Sequence, residues 1–68
     1  MDVILYTTGC PRCIVLKKKL DAKGVEYETI TDVNKMIKMG LKETPVLSVD
    51  GVRMGFSEAN KWTDKYGN

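Results

Sequence analysis

Two cysteines, separated by a proline and an arginine, stand in Cys10-Pro11-Arg12-Cys13, just after the apolar run Val3-Ile4-Leu5-Tyr6 and the segment Thr7-Thr8-Gly9. That order predicts a buried strand, a tight turn and a helix that opens on the first cysteine. The start of a helix carries unpaired N–H groups and a partial positive charge, so a thiolate placed there is stabilised and reactive. Cys13, one helical turn on, is then placed to attack a mixed disulfide formed at Cys10. The chemistry implied is dithiol–disulfide exchange, with Cys10 as nucleophile and Cys13 as the resolving thiol.

Other uses of the pair have to be weighed. A free cysteine is often a small buried hydrophobe, but a strand-to-helix turn lies near the surface. A closed zinc site needs four ligands, and this chain offers two cysteines and no histidine. A metal or iron–sulfur cluster would therefore have to be shared with another chain. The lack of histidine also removes a Cys–His pair and any histidine general base. Arg12, between the cysteines, is either a solvated side chain or a fixed positive charge that favours the Cys10 thiolate and can pair with a carboxylate on a partner.

The elements that must hold this pair can be read along the chain. Val3–Tyr6 is the first strand. Residues 11–23 form the first helix, with Pro11 in its first turn, Cys13, Leu16 and Leu20 on one face, and Gly24 as the stop. Residues 25–30 alternate as a second strand with Val25, Tyr27 and Ile30 inward. Thr31 or Asp32 caps a short helix whose apolar face is Val33, Met36 and Ile37, ended by Gly40. Residues 41–44 form a loop, 46–49 a third strand, Asp50-Gly51 a tight hairpin turn and 52–55 a fourth strand. Ser57 then caps a last helix with Ala59, Trp62 and Tyr66 along one face, ending at Gly67. The order is β-α-β-α-β-β-α. Met36, Met39 and Met54 read as gap fillers, and the run Lys17-Lys18-Lys19 as a solvated face.

With 68 residues, the chain is expected to form one domain spanning residues 1–68, and to act as a monomer. The net charge of +2 is too mild to argue for nucleic acid. No segment approaches the length of a membrane span, and Met1-Asp2 followed by a short apolar run does not read as a secretory leader. A lone Cys-x-x-Cys in such a chain points to a reducing, cytoplasmic setting.

Thr44-Pro45 precedes the strand 46–49. Proline opening a strand is common. A cis-proline beside the dithiol would instead leave the Thr44 backbone to pair with an extended substrate segment.

Three motifs occur in one order: Cys10-Pro11-Arg12-Cys13 after a strand, Thr44-Pro45-Val46 before a strand, and Gly55-Phe56-Ser57-Glu58 before a final helix. Together they resemble the glutaredoxins over nearly the whole chain, and are similar to the short glutaredoxin-like redoxins that reduce ribonucleotide reductase. The resemblance implies an α/β thioredoxin fold with a four-stranded mixed sheet flanked by helices. It implies attack by Cys10, resolution by Cys13, and a cis Pro45 that shapes the substrate groove. It also implies an electron-transport role with no bound cofactor, a disulfide-containing protein as substrate, and an external reductant, either glutathione or NADPH with thioredoxin reductase. A thioredoxin-fold binding domain without redox activity is the remaining alternative, which the intact Cys10 and Cys13 argue against.

Two features depart from the family pattern. Tyr6-Thr7-Thr8-Gly9 lacks the lysine that helps many glutaredoxins hold a glutathione carboxylate. The usual glycine pair and acidic pair become Met54-Gly55 and Ser57-Glu58. The N–H groups of Ser57 and Glu58 remain to receive a carboxylate, with Arg12 or Lys38 as substitute cations. The expected result is weak glutathione binding and a preference for a protein reductant.

Overall fold

A computed structural model describes residues 2–66. The elements run β1 (Val3–Tyr6), α1 (Pro11–Ala22), β2 (Glu28–Ile30), α2 (Val33–Lys38), β3 (Val46–Val49), β4 (Val52–Met54) and α3 (Phe56–Lys65). The four strands lie in the order β2-β1-β3-β4. β1 is parallel to β2, with Leu5 opposite Thr29, and antiparallel to β3, with Leu5 opposite Leu47. β3 and β4 form an antiparallel hairpin in which Val49 faces Val52. Asp50 and Gly51 make its turn at φ of 50° and 86°, the left-handed pair that a two-residue turn between twisted strands favours. The Asp50 N–H donates to the Asp2 carbonyl at 2.8 Å, and Asp2 N–H returns a bond to Asp50 Oδ1 at 2.7 Å, which ties this turn to the start of β1. This mixed sheet with flanking helices is a thioredoxin fold.

The core follows from the spacing of apolar residues. Val3 and Leu5 of β1, Leu47 of β3, Leu16 and Leu20 of α1, Ala59 of α3, and Val25 beyond the end of α1 form one buried cluster. Leu5, Leu16, Leu20, Leu47 and Ala59 are fully buried, so α1 and α3 share one face of the sheet. Lys19 Nζ meets Asp64 Oδ1 at 2.7 Å and Lys23 Nζ donates to the Asp64 carbonyl at 3.2 Å, joining the C-terminal parts of these helices. The lysine run is thus divided, with Lys17 and Lys18 exposed and Lys19 half-buried.

Several expected boundaries shift, each for a local reason. α1 ends at Ala22, with Lys23 as its C-cap. Gly24, at φ 70°, donates its N–H to the Asp21 carbonyl, and Val25 donates to Leu20. This pair of bonds closes the helix and removes the Val25 N–H from any sheet ladder, so β2 begins at Glu28 rather than Val25. Val25 is still buried, as a core residue beyond the helix end. Tyr27 is half-buried and donates its hydroxyl to Asp21 Oδ1 at 2.7 Å. α2 is capped by Asp32, whose Oδ1 accepts from the Lys35 N–H at 3.2 Å. Of its expected apolar face only Met36 is buried, while Val33 and Ile37 are 52% and 65% exposed. A six-residue helix has fewer than two turns and presents one inward position. Met39 and Met54 are half-buried.

The last helix begins earlier than expected. Gly55 is its N-cap, with no side-chain cap, so β4 stops at Met54 and Ser57 lies inside the first turn. Trp62 and Tyr66 pack against the core with ring centroids 5.3 Å apart. The expected stop at Gly67 lies outside the described residues. Among the described residues no helix is long and apolar enough to cross a membrane.

Candidate functional site

The strand β1 and helix α1 fix the dithiol. β1 is held on both edges by β2 and β3, and Thr7 extends its ladder by donating its N–H to the Ile30 carbonyl at 3.0 Å. The chain then turns through Gly9 at φ 81°. A side chain there would cost roughly 1–2 kcal/mol, because the left-handed region crowds Cβ against the following carbonyl. The turn delivers Cys10 as the N-cap of α1 with Pro11 at the first helical position, where its missing N–H leaves no hydrogen bond unmade.

The sulfur itself does the capping. The Cys13 N–H donates to Cys10 Sγ at 3.3 Å, the position that a serine or aspartate oxygen occupies in other helices. Cys10 is half-exposed and Cys13 is buried, both as free thiols. One sulfur is open to an incoming disulfide, and the other waits beneath it on the face shared with Leu16.

The second wall comes from the segment before β3. Thr44 is half-buried and Pro45 buried, and the Thr44–Pro45 peptide is cis. Cys10 Sγ lies 3.9 Å from both the Thr44 carbonyl oxygen and Thr44 Oγ1. Thr44 Oγ1 is also 2.9 Å from Thr8 Oγ1, so a hydroxyl pair links the turn before Cys10 to the loop before Pro45. Thr7 Oγ1 accepts from the Gly9 N–H at 3.2 Å, which leaves the hydroxyl proton of Thr7 free to point elsewhere.

These donors act on the buried thiol. Burial pushes the Cys13 thiol up. Hydrogen bonds from Cys10, the Thr7 hydroxyl, the Thr8 backbone and the Thr44 hydroxyl pull it further the other way, leaving it lowered from 9.0 to about 6. The two sulfurs are linked by one of these bonds, so the first proton leaves the dithiol as a unit. A negative charge on this pair, with the α1 start aimed at it, is a form of the dithiol suited to nucleophilic attack.

Arg12 is exposed, and its guanidinium lies over the Phe56 ring, 5.7 Å from the centroid. Phe56 is half-buried and packs against the core, so it is a fixed platform. The contact brings the first turn of α3, and with it Gly55, Ser57 and Glu58, alongside the first turn of α1. Ser57 and Glu58 are both exposed. Their N–H groups belong to the unpaired set of a helix start, and Glu58 puts a carboxylate there.

Among the residues singled out from sequence, the structure therefore gathers Cys10, Cys13, Thr44 and Pro45 around the sulfurs. Pro11 and Arg12 sit on the rim, and Gly55, Ser57 and Glu58 are joined to it through Phe56. The hydroxyls of Thr7 and Thr8 and the ring of Phe56 were not assigned roles from sequence. The available signal was the threonine content of both segments that converge on the dithiol.

Known proteins agree with this architecture. No protein-family model matches the chain. Glutaredoxin 1 of Rickettsia felis is 37% identical over 67 aligned residues, covering 84% of this chain and 66% of that protein. A thioredoxin of Methanothermobacter thermautotrophicus is 33% identical over 57 residues, covering 75% of this chain and 74% of that protein. The chain thus spans just under two thirds of the length of the first relative. A glutaredoxin and a thioredoxin, each matched over most of the chain that here folds around a half-exposed and a buried cysteine, assign it to the thioredoxin-fold redox proteins as a glutaredoxin-like redoxin.

Proposed function

We propose that this protein is a dithiol–disulfide oxidoreductase that passes two electrons from an external reductant to disulfides in proteins. The observation that carries this reading is the inequality of the two thiols at one helix start: Cys10 half-exposed and capping α1, Cys13 buried directly behind it. The Cys10 thiolate attacks one sulfur of the substrate disulfide, and the other substrate sulfur leaves as a thiolate. Cys13 then attacks the Cys10 sulfur of the mixed disulfide. The second substrate sulfur leaves, and Cys10–Cys13 remains as a disulfide. The Thr44 backbone beside Cys10 suits pairing with an extended substrate segment. The exchange itself requires no bound cofactor.

The reductant that resets the pair is, on this reading, a flavoenzyme of the thioredoxin-reductase type rather than glutathione. Glutathione carries two carboxylates. Among the described residues the start of α3 is the helix start with no side-chain cap, and Glu58 in its first turn opposes an anion there. Losing one charge-assisted hydrogen bond costs about 1.5–3 kcal/mol. A reductase of the ribonucleotide-reductase kind is a fitting recipient of the electrons, as in the short redoxins this chain resembles.

The test is insulin-disulfide reduction driven by NADPH, with thioredoxin reductase in one arm and with glutathione plus its reductase in the other. Faster turnover in the first arm is expected. No turnover in either arm would overturn the oxidoreductase reading, and saturable turnover confined to the glutathione arm would overturn the assignment of reductant. A metal- or cluster-binding module, the competing reading, would instead appear as colour or bound metal in a chain-sharing dimer.

A further inference from the structure

α1 and α3 cover the same face of the sheet, yet their outer sides differ. The exposed residues of α3 are Ser57, Glu58, Lys61, Asp64 and Lys65, all polar or charged. α1 buries Cys13, Leu16 and Leu20, and on its outer side it exposes Pro11, Ile14 and Val15 as well, with Ile14 49% and Val15 47% exposed. The helical repeat puts Ile14 and Val15 on either side of Pro11, as one apolar crest along the first two turns. A helix that is apolar on its outer side as well as its inner one has the pattern of a helix covered on both.

The crest begins at the nucleophile. Pro11 follows Cys10 directly, and the Ile14 N–H donates to the Cys10 carbonyl at 3.0 Å. Side chains on a helix lean back over the preceding turn, which brings the Ile14 side chain beside Cys10. A protein whose disulfide reaches the half-exposed Cys10 sulfur comes down against the head of this crest. The surrounding charges say what kind of protein that is. From Pro11 to Leu20 the chain carries Arg12, Lys17, Lys18 and Lys19 and no carboxylate. Lys19 pairs with Asp64, while Arg12, Lys17 and Lys18 are exposed. The first carboxylate along α1 is Asp21, and it accepts the Tyr27 hydroxyl. Such a border repels a second copy of the same helix and attracts carboxylates.

We propose that the crest of Pro11, Ile14 and Val15, bordered by Arg12, Lys17 and Lys18, is the docking surface for the substrate protein. It selects disulfides with an apolar side chain beside the attacked cysteine and carboxylates beyond it. The proposal rests on the thiol–disulfide reading above and names the class of disulfide that this reading leaves open.

Peptides with one intramolecular disulfide supply the probes. The first has leucine beside each cysteine and glutamates beyond. The second replaces the leucines by glutamine, and the third replaces the glutamates by lysine. Their rates with reduced protein are measured by stopped flow at low salt, beside a small symmetric aromatic disulfide that does not reach along the crest. The leucine–glutamate peptide should react roughly tenfold faster than the glutamine peptide, the scale of one apolar side chain leaving water. It should react about twofold to fivefold faster than the lysine peptide. Ile14→Gln/Val15→Gln should remove the first preference and keep the second, and Lys17→Glu/Lys18→Glu should do the reverse. Glutamine suits a helix at least as well as the residues it replaces, and Ile14→Ala/Val15→Ala repeats the test if it disturbs the fold. The small disulfide should react within about twofold of the wild-type rate in each variant, as for substitutions on a surface.

Equal wild-type rates for the leucine and glutamine peptides, a preference that survives in the double variants, or the same slowing with the small disulfide would each overturn the docking surface and leave the oxidoreductase reading standing. A dimer in sedimentation that Ile14→Gln/Val15→Gln dissociates would assign the crest to a second copy. Retention on vesicles of phosphatidylcholine and phosphatidylserine, lost in that variant, would assign it to a membrane. Either result overturns the proposal. Failure of the wild-type protein to react with the small disulfide would overturn the exchange reading and the docking surface with it.

Discussion

The starts of α1 and α3 lie side by side, joined by Arg12 over the Phe56 ring, and they treat negative charge in opposite ways. At α1 the capping atom is a sulfur, and the Cys13 N–H is spent on it. That helix end is committed to a charge the protein carries itself. At α3 the cap is Gly55, with no side chain on the first-turn N–H groups, and Glu58 occupies that turn. That end is open to an anion in geometry and guarded against it in charge. The difference teaches that equivalent backbone electrostatics can hold an internal charge at one helix and discourage an external one at its neighbour, with the side chain at the first turn deciding which.

The strongest way to break the comparison is to remove the internal charge. Cys10→Ser should abolish disulfide turnover, while Cys13→Ser should stop at a mixed disulfide on Cys10 that mass spectrometry detects. Cys10 should also alkylate far faster than Cys13 in the reduced wild-type protein, because Cys13 is buried. Turnover surviving in Cys10→Ser would show that the α1 end is not where the reactive charge sits.

A second measurement follows the proton. Hydrogen bonds to its sulfur hold the Cys13 thiol lowered from 9.0 to about 6 in the folded chain. An acid whose folded value is depressed stabilises the folded state above its unfolded value and loses that contribution as pH falls through the folded value. Reduced protein should therefore gain stability from about pH 6 to 9.0. The gain is at most about 4 kcal/mol, since a tenfold change in proton affinity is worth about 1.4 kcal/mol. The oxidised protein has no thiol to titrate and should lack this slope. Denaturant midpoints of both forms across this range check the claim, and parallel curves would refute it.

The α3 end should respond to a smaller change. Glu58→Gln removes the guarding carboxylate, and glutathione-driven turnover should rise by roughly threefold to tenfold, the scale of one charge at a partly exposed helix terminus. Insulin reduction through the flavoenzyme arm should be unaffected. Equal gains in both arms would mean that Glu58 acts on the protein as a whole and not on the anion.

The smallest effect is expected at the bridge between the two helices. Arg12→Gln should slow attack on disulfides flanked by acidic residues by about twofold to fivefold at low salt, consistent with an exposed charge. Phe56→Leu should give part of that loss, since a cation over a ring contributes about 0.5–1 kcal/mol at an exposed site. Rates measured against ionic strength for acidic and basic peptide disulfides would separate the charge from its platform.

How much of this was legible depends on whether a residue's role is set locally. The Cys10 cap, Pro11 and the Leu16–Leu20 face all follow from positions along one helix, and a periodic pattern reveals them. The alternation over residues 25–30 predicts a longer β2 than forms, because the Val25 N–H is claimed by the end of α1, a competition between neighbouring elements that alternation along a strand does not register. Val33 and Ile37 look like two of the three residues of an apolar face, but α2 is too short to turn them inward with Met36. Ser57 has the chemistry of a cap, yet Gly55 already adopts the extended backbone of that position. The site shows the same division. Cys10, Cys13 and Pro45 announce themselves by motif, whereas the meeting of Thr8 with Thr44 depends on two loops brought together by the sheet.

The cap of α1 has one more consequence, concerning signal rather than catalysis. The Cys13 amide is hydrogen-bonded to a sulfur whose electron density changes with the redox state. A reduced, negatively charged dithiol is a strong acceptor for that N–H, and a disulfide sulfur is a weak one. The exchange of this single amide proton with solvent, and its magnetic resonance frequency, should therefore follow the oxidation state directly. The backbone at the head of α1 is in this sense a built-in gauge of the protein's charge of electrons, readable without touching either thiol.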